Sequence, residues 1–558
     1  MSLLDYIVIA LFTVMILVVG VAFSRTGGNM KSYFAAGGSL PWWLSGLSLF
    51  MSFFSAGTFV IWGSIAYQYG WVSITIQWMM ALSGFIIGYF IAPKWRETNS
   101  LTAGEFLGKR FSPSLKKFYS YIFLVLSFVT TGAFLYPVAK IFNVSTGFSI
   151  ELSILILGLL IIIYTAAGGL WAVVITDVLQ FVILFAAVII VVPLALEKIG
   201  GPGALIHHAP EGFFSMTNGA YSFGFLMAFT FYNTFFIGGN WAYVQRYTSV
   251  RTPRDARKVG LLFGSLYLVS PVLWMLPPMI FRLVDGNLTG NENEGAFLLM
   301  CKAVLPKGLL GLMLGGMIFA TASSVNTTLN MSAAVFTNDI YKKLKKGLKQ
   351  ATIMKIARLS TVVFGIITIG VALAVPRLGG IVEVVLTVGA VTGAPLFGPP
   401  IWALFSNWQT SFSMMTTTLV SLGINLFLKF MAPGLLGFSL NRAEEMLTGV
   451  FIPIAILAGF EMYYRFNGTS NHSLQKNDEM TGGEAAETTK NETSAQNTFA
   501  IRVLAIALLL TGSLISLLGV IASDGKLIVL CVGITVLLTG GLLLTRKYVK
   551  RESKASDL

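Results

Sequence analysis

Two adjacent hydroxyl residues, Ser323 and Ser324, lie in the hydrophobic stretch 311–341, which also contains Thr327 and several amide side chains. In a helix, Ser323 and Thr327 are four residues apart and share one face. Hydroxyl and backbone carbonyl oxygens suit a hard monovalent cation that is bound weakly and without a full protein charge. Alternatively, these groups only form interhelical hydrogen bonds, as polar residues in membrane helices often do.

Asp177 is the clearest acidic residue inside a hydrophobic run, in the segment YTAAGGLWAVVITDVLQF. A charge at membrane depth costs several kcal/mol and therefore indicates a functional group. The alternative is an acid near a helix end whose carboxylate is satisfied by nearby donors. Lys140 and Glu383 lie near the ends of their runs, and we expect their charged groups to reach the membrane surface.

Backbone oxygens can bind an ion only where a helix is broken, and the stretch from Trp42 to Ile65 favours such a break. It is long enough to cross a bilayer, yet its centre is crowded with small and hydroxyl residues: Ser48, Ser52, Ser55, Gly57 and Thr58. Glycine and hydroxyl residues weaken a helix, and in transporters a broken helix offers carbonyls to a cation and amides to a substrate. Close packing of two helices is the alternative.

The composition identifies an integral membrane protein with many spans. The chain has 558 residues, of which 55% are hydrophobic and only 11% are charged, against about 25% charged residues in soluble proteins. Its two cysteines exclude a disulfide framework, and they have no metal-ligand spacing. We count about 15 hydrophobic runs of spanning length, which predicts an all-α protein with about 14–15 transmembrane helices.

The basic residues predict the orientation of these spans. With the N-terminus outside and the C-terminus inside, 29 of the 38 Lys and Arg residues fall in cytoplasmic loops. The positive-inside rule therefore favours a multi-pass protein of the cell membrane with an external N-terminus and a cytoplasmic C-terminus.

The order of the runs predicts two inverted halves. Five runs in 42–196 and five in 223–405 each form an odd number, so the second set runs opposite to the first. The second set also opens on an interrupted run, 223–245, which contains Asn233, Thr234, Gly238, Gly239 and Asn240. Two broken helices facing each other are typical of transporters with a central site.

The remaining segments surround these halves. We expect an N-terminal span and inner loop (1–41), an outer loop (197–222), additional spans (406–465), a disordered cytoplasmic linker (466–499) and a C-terminal two-span hairpin with a basic tail (500–558). The linker is polar and rich in Thr, Glu and Asn, which is typical of disorder.

Several of these stretches resemble the sodium/solute symporters, which include sodium–glucose, sodium–monocarboxylate and sialic acid transporters. The segment 147–172, ending in YTAAGGLWA, resembles the family signature, and TDVLQ follows it at 176–180. SSVNTTLNMSAAVFTNDIY resembles the eighth core helix, and NWAYVQRYTSVRTPRDARK at 240–258 resembles the inner end of the sixth. The resemblance covers about residues 5–465. It implies a LeuT-like fold, a 5+5 inverted repeat with one extra N-terminal span and additional C-terminal spans, which works by alternating access.

The resemblance also implies ion ligands. The main sodium site of the family falls on carbonyls or hydroxyls of Met51, Phe54, Ala320, Ser323 and Ser324. Asp177 matches an acid near the sodium exit path or a second ion site, and Thr327 matches a ligand of that second site in some members. Asn326, where those members have serine, departs from the pattern.

The implied substrate positions are Thr58, Gln77, Asn233 and Thr387, with Phe236 as an inner gate. Two of these positions depart from the sugar-binding relatives: Gln77 replaces an acid, and Thr58 replaces a glutamine. In addition, Tyr267 lies near the position of a lysine in those relatives. The arginine that binds a carboxylate in sialic acid carriers has no clear match, although Lys140 lies in the same helix.

We therefore expect a sodium-coupled symporter that imports a small polar organic solute, namely a sugar, sugar acid or monocarboxylate. Sodium is the expected coupling ion because Ser323 and Ser324 are neutral and the span 173–196 contains no lysine. The expected partners are the solute, sodium and the lipid bilayer, with no nucleic acid. A membrane solute sensor, a symporter for another cation and an ion channel are the alternatives, and an enzyme is the least favoured class.

Overall fold

The computed structural model describes residues 1–22, 38, 40–100, 103–165, 170–341, 350–378, 381–468 and 488–545. Within these ranges the chain is almost entirely helical, and the β-structure is one isolated bridge between Leu40 and Val250. This is expected at membrane depth, because a helix satisfies its own backbone hydrogen bonds where no water is available.

The helices of the first part of the chain include the predicted broken span. They are α1 (Leu3–Ala22), α2 (Trp42–Phe53), α3 (Thr58–Tyr69), α4 (Val72–Glu97), α5 (Ala103–Arg110), α6 (Pro113–Thr146), α7 (Ile150–Thr165) and α8 (Leu170–Lys198). The first turns of α3 and the second half of α4 contain π-helical segments, Thr58–Trp62 and Ile87–Ile91.

The second part begins with another interrupted span. Its helices are α9 (Phe223–Gly239), α10 (Trp241–Thr248), α11 (Pro253–Val284), α12 (Ala296–Val304), α13 (Leu309–Val335), α14 (Gln350–Ala374), α15 (Ile381–Phe405), α16 (Ser411–Leu435), α17 (Arg442–Phe466), α18 (Thr488–Ile521) and α19 (Lys526–Thr545). Each of the predicted hydrophobic runs contains a described helix: eleven long apolar helices, the bent pair α2–α3 and three shorter ones.

The packing of these helices repeats between the two halves, which confirms the inverted repeat. Helix α2 packs on α8 as α9 packs on α15, and α4 packs on α9 as α11 packs on α2. In the same way α6 packs on α7 as α13 packs on α14, while α4 with α11 and α6 with α13 form pairs across the two halves. The two broken spans therefore occupy equivalent positions in the bundle.

Glycines let α4 and α11 approach at backbone distance. Gly84 and Gly88 on α4 face Gly260 and Gly264 on α11, and both pairs have the spacing of a small-residue packing motif. A Cβ atom added to Gly260 would lie 2.5 Å from the Gly88 Cα atom, and one added to Gly84 would lie 2.8 Å from the Gly264 Cα atom. No larger residue fits at this crossing without moving a helix.

Helices outside the repeat pack on its surface. Asp5 of α1 is buried, and its Oδ1 atom accepts hydrogen bonds from the amides of Gly308 (2.7 Å) and Gly311 (3.1 Å), which caps the first turn of α13. Helix α18 packs on α19, α1 and α8.

Two sequence predictions need correction. In the second broken span, Asn233 and Thr234 lie within the continuous helix α9, and the break falls only at Asn240, whose backbone is extended (φ −68°, ψ 123°). The predicted disordered linker 466–499 is shorter, since α18 begins at Thr488 and residues 488–499 are helical. Residues 469–487 of that segment lie outside the described part.

Candidate functional site

The first broken span has a sharp bend in the middle of the bundle. Helix α2 ends at Phe53, Phe54 has an extended backbone (φ −89°, ψ 95°), and α2 and α3 are bent by 56° relative to each other. The composition of this stretch explains the break, because hydroxyl side chains provide alternative hydrogen-bond partners for the backbone and glycine has a low helix propensity.

Side-chain oxygens bind the amides at the bend. The donors are three successive amides, and their acceptors are hydroxyls: Ser55 N to Thr58 Oγ1 (3.3 Å), Ala56 N to Thr321 Oγ1 (2.9 Å) and Gly57 N to Ser55 Oγ (3.1 Å). In an unbroken helix these amides would donate to the carbonyls of residues 51, 52 and 53. The carbonyls in the last turn of α2 are thus released from the helix.

One of the released carbonyls, that of Ser52, meets α13. The Ser324 hydroxyl lies 3.2 Å from the Ser52 carbonyl and 3.4 Å from the Ala320 carbonyl. Met51, Phe54 and Ala320 are fully buried, and Ser324 is 4% exposed. The structure therefore brings the predicted parts of α2 and α13 together, while the Ser323 side chain lies outside the described part.

Beside this region, Asp177 and Thr327 are bridged by a side-chain cation. Both Asp177 and Arg246 are completely buried, and the Arg246 Nη2 atom is 3.8 Å from Asp177 Oδ2. Arg246 also donates from Nη2 to the Thr327 hydroxyl (3.3 Å) and from Nε to the Ser48 hydroxyl (3.1 Å), while Ser48 donates to Asp177 Oδ2 (2.5 Å). A guanidinium thus lies where the sequence predicts a possible second ion, and Asp177 has nearby donors.

Arg246 was missed by sequence reasoning because a basic residue after a helix break reads as part of a cytoplasmic loop. In the structure it lies inside α10, whose last turn points its side chain into the bundle, and its backbone carbonyl accepts a hydrogen bond from the Ser45 hydroxyl (2.7 Å). The sequence signal that could have identified Arg246 as buried is its position in the stretch that resembles the sixth core helix.

A cavity of about 120 Å³ lies between α3, α6, α9 and α15. Three of the predicted substrate and gate residues line it: Thr58, Asn233 and Phe236. The Asn233 amide donates to the Phe229 carbonyl (2.8 Å), so its carbonyl oxygen and second N–H remain for another partner.

Two other predicted substrate residues do not line this cavity. Gln77 is fully buried, its Nε2 atom lies 3.3 Å from the Ser73 carbonyl, and its Oε1 atom has no hydrogen-bond partner among the described residues. Thr387 is partly buried, and Thr392 on the same helix lines the cavity instead. Both helices contribute to the lining through other residues: Met80 of α4, and Val385, Leu386, Val388, Gly389 and Thr392 of α15.

Phe236, the predicted gate, lies between this cavity and a second one together with Thr130, Phe134 and Thr392, which also line both. The second cavity, of about 70 Å³, lies next to α5 and the α9–α10 junction, and Phe236 lines both. Its ring stacks on Tyr232 with a centroid distance of 5.5 Å and makes edge contacts with Phe53, Tyr243 and Phe397. Sequence reasoning did not identify these surrounding aromatic residues, because in a hydrophobic chain they are indistinguishable from core or lipid-facing residues.

Two broken spans in inverted halves, with an oxygen-rich region and a cavity beside the break, define a LeuT-like secondary transporter. The family model of the sodium:solute symporter family matches residues 33–420. The chain therefore belongs to the sodium:solute symporter family; it is a sodium-coupled solute symporter and not an enzyme.

Individual relatives agree with this assignment. The chain is 29% identical to the sodium/glucose cotransporter of Vibrio parahaemolyticus over 502 residues, which is 82% of this chain and 90% of the relative. It is 28% identical to the sodium/sialic acid symporter of Aliivibrio fischeri over 378 residues, 65% of this chain and 75% of the relative.

Solved structures support the fold. A substrate-bound, outward-open Na⁺-coupled sialic acid symporter superimposes with a TM-score of 0.70 at 22% identity, covering 83% of this chain and 98% of that chain. The nucleobase-cation-symport-1 transporter Mhp1 in a closed conformation gives a TM-score of 0.54 at 14% identity, covering 79% and 96%.

Proposed function

We propose that this protein imports a small polar organic solute, a sugar, sugar acid or monocarboxylate, together with sodium by alternating access. The observation that carries the proposal is the bend between α2 and α3, where the Ser52 carbonyl meets the Ser324 hydroxyl next to a cavity. The relatives in Vibrio parahaemolyticus and Aliivibrio fischeri are named for glucose and sialic acid, which supports an organic solute of this kind.

The proposed sodium ligands are oxygen atoms of α2 and α13. They are the carbonyls of Met51, Phe54 and Ala320 and the hydroxyls of Ser323 and Ser324. The Met51 carbonyl is a suitable ligand because the Ser55 amide, its helical partner, donates to Thr58 instead. Neutral oxygens hold sodium loosely enough to release it in every cycle, whereas a carboxylate would bind it more strongly.

The proposed solute site is the cavity lined by Thr58 and Asn233, with Phe236 as the gate toward the second cavity. Gln77 and Thr387 join the site in another state of the cycle, when α4 and α15 shift relative to α3. The unpartnered Gln77 Oε1 atom supports this role, because a buried amide oxygen without a partner is costly in any one state.

The ion gradient supplies the energy for this import. A membrane potential of about 100 mV contributes roughly 2.3 kcal/mol per charge, and a tenfold sodium gradient contributes about 1.4 kcal/mol. One sodium per cycle thus supports accumulation of the solute by roughly 500-fold. We place the loop after α10 and the N-terminal end of α18 on the cytoplasmic side and both cavities within the cell membrane, in accordance with the charge distribution.

Replacing Ser324 tests the sodium site. Ser324→Ala removes one proposed ligand, and we expect the sodium concentration for half-maximal solute uptake to rise about tenfold, since one lost ligand costs about 1.4 kcal/mol. The measurement is sodium-dependent uptake in proteoliposomes, with sodium-dependent thermal stabilisation of the purified protein as a second readout.

Ser360→Ala is the matched control. Ser360 is also a buried helical serine, but its hydroxyl donates to the Ile356 carbonyl of its own helix, far along the chain from the bend. An unchanged sodium dependence in Ser324→Ala, at normal expression, would contradict the site. Equal changes in both variants would indicate a general loss of stability.

A further inference from the structure

We propose that the cavity is built for a neutral solute that brings its own hydrogen-bond donors, such as a hydroxylated ring, and that it rejects the carboxylate analogue of the same size. This inference rests on the proposed function, because it assumes that the cavity beside the bend is the solute site. It narrows the three solute classes named above to the uncharged one.

The first observation is the charge of the lining. None of the described residues that line the cavity is Asp, Glu, Lys, Arg or His. Lys140 follows the lining residue Pro137 on α6 but does not line the cavity itself, and Arg246 is fully buried beside Asp177. A carboxylate that enters this space would lose its hydration without meeting a protein cation, and a few neutral hydrogen bonds do not offset that loss.

The second observation concerns the backbone amides at the bend. In broken-helix transporters, the N-terminal end of the second half-helix can bind the carboxylate of a substrate through free amides. In this protein the amides of Ser55, Ala56 and Gly57 already donate to hydroxyl oxygens, and the Thr58 amide donates to the Ser55 carbonyl (2.9 Å). These four amides are therefore not free to bind the carboxylate of a substrate.

The coupling ion does not replace the missing cation. The described residues of the proposed sodium site, Met51, Phe54, Ala320 and Ser324, are absent from the lining of the cavity. Phe53 and Ser55 line it instead, whereas the Ser52 carbonyl contacts Ser324 of α13.

The third observation is the hydrogen-bonding direction of the lining. Three threonine hydroxyls donate their hydrogen to carbonyls of the backbone: Thr58 to Phe53 (3.1 Å), Thr130 to Leu126 (3.1 Å) and Thr392 to Val388 (2.6 Å). The Thr58 oxygen already accepts the Ser55 amide. The remaining lone pairs of the three oxygens match the O–H or N–H groups of a solute.

Aromatic rings form much of the remaining wall. Seven of the twenty-two lining residues are aromatic, and they provide an apolar surface for one face of the solute: Phe53, Trp62, Phe134, Phe229, Tyr232, Phe236 and Tyr267. A hydroxylated ring, which has polar edges and apolar faces, fits both parts of this lining.

The test compares matched pairs of solutes on the purified full-length protein. We would measure the thermal midpoint in sodium and in potassium with D-glucose against D-glucuronate and with D-galactose against D-galacturonate. Bound ligands raise the midpoint by mass action. We expect at least one neutral member to raise it in sodium only, with its charged counterpart requiring at least a tenfold higher concentration.

Other outcomes overturn the inference in distinguishable ways. A charged member that is as effective as its neutral partner would overturn it, and so would a panel in which no neutral member binds while sodium alone still stabilises the protein. In both cases sodium coupling stands and only the solute class fails. If a folded protein shows no sodium effect with any solute, the proposed function itself fails.

A lining variant gives a second readout. Thr392→Val removes one acceptor at constant shape, and we expect the effective neutral solute to bind about five- to tenfold more weakly, with sodium stabilisation unchanged. Thr368→Val is the control, because Thr368 is a buried threonine that also donates to its own helix (Phe364 carbonyl, 2.9 Å) but does not line the cavity. Unchanged affinity in Thr392→Val would contradict the acceptor role.

Discussion

Arg246 is a buried cation that joins α10 to three other helices. Its guanidinium contacts Ser48 of α2, Asp177 of α8 and Thr327 of α13. Burying the Arg246–Asp177 pair costs desolvation free energy, but removing one partner costs more because the other charge is then buried without a counter-charge. The residue therefore fastens the end of the bundle where α2, α8, α10 and α13 meet.

We expect Arg246→Gln to lower the stability of the protein by about 3–5 kcal/mol, because the Asp177 carboxylate loses its counter-charge. The double variant Arg246→Gln/Asp177→Asn should recover part of this loss, and a double-mutant cycle on thermal unfolding measures the coupling.

Lys94→Gln serves as the surface control for the single substitution Arg246→Gln. Lys94 pairs with Glu97 at 3.0 Å, but both side chains are about half exposed (47% and 50%), so its loss should cost less than about 1 kcal/mol. A coupling between Arg246 and Asp177 of less than about 1 kcal/mol, as for exposed pairs, would show that the buried contact does not stabilise the packing of these helices.

For single residues, the sequence predicts local effects on a helix better than it predicts the partners of a side chain. Ser324 and the bend were predicted because hydroxyls and glycine in a spanning run are unusual, and their effect on a helix is local. The burial of Arg246 depends on which way a helix end turns, and the side chains of α15 that reach the cavity depend on how that helix packs: Thr387 was predicted, whereas its neighbours Leu386 and Val388 line the cavity, as does Thr392. Both are properties of packing between distant segments.

At the scale of the helices, the crossing of α4 and α11 is packed so closely that we expect it to be rigid. The two glycine pairs bring backbone against backbone, so α4 and α11 should move as one body when the cavity opens to either side. The pair connects both halves of the repeat, which fits a rigid bundle against which other helices shift.

Substitution at this crossing should be costly. Gly260→Ala places a Cβ atom 2.5 Å from the Gly88 Cα atom, and we expect a loss of stability of about 1–3 kcal/mol from overpacking. Gly370→Ala on α14 is the matched control, because a Cβ atom there meets nothing within 4 Å and should stabilise the helix by about 0.5–1 kcal/mol. Thermal unfolding of both variants checks the difference, and equal midpoints would contradict the rigid crossing.

The elements themselves follow largely from the sequence. Hydrophobic runs of spanning length locate the described helices because the bilayer requires apolar length, and this requirement is independent of tertiary contacts. The beginning of α18 at Thr488 was not predicted, since the polar residues before residue 500 lack the hydrophobic signal that identifies a span. The break at Asn240 was predicted within seven residues, because several candidate breakers share that run.

For the whole molecule, the distribution of charge predicts its orientation in the membrane. We expect a fluorescent reporter fused after Leu558 to be cytoplasmic. In a chain carrying Cys531→Ser, a membrane-impermeant thiol reagent should label Ser215→Cys in intact cells and Asn407→Cys only after permeabilisation; both positions are exposed. Cys301 is buried and serves as an internal control for nonspecific labelling. The reverse labelling pattern would show that the chain is inserted the other way round.

The two attachments of the broken span to α13 have a thermodynamic consequence. Ser324 donates to a carbonyl at the end of α2, and Thr321, three residues earlier, accepts the Ala56 amide at the start of the next half-helix. A shift of this one turn of α13 strains both attachments together, so an ion at the proposed sodium site and a solute in the proposed cavity would respond to the same displacement. Linkage then requires reciprocity: the factor by which sodium tightens solute binding equals the factor by which solute tightens sodium binding.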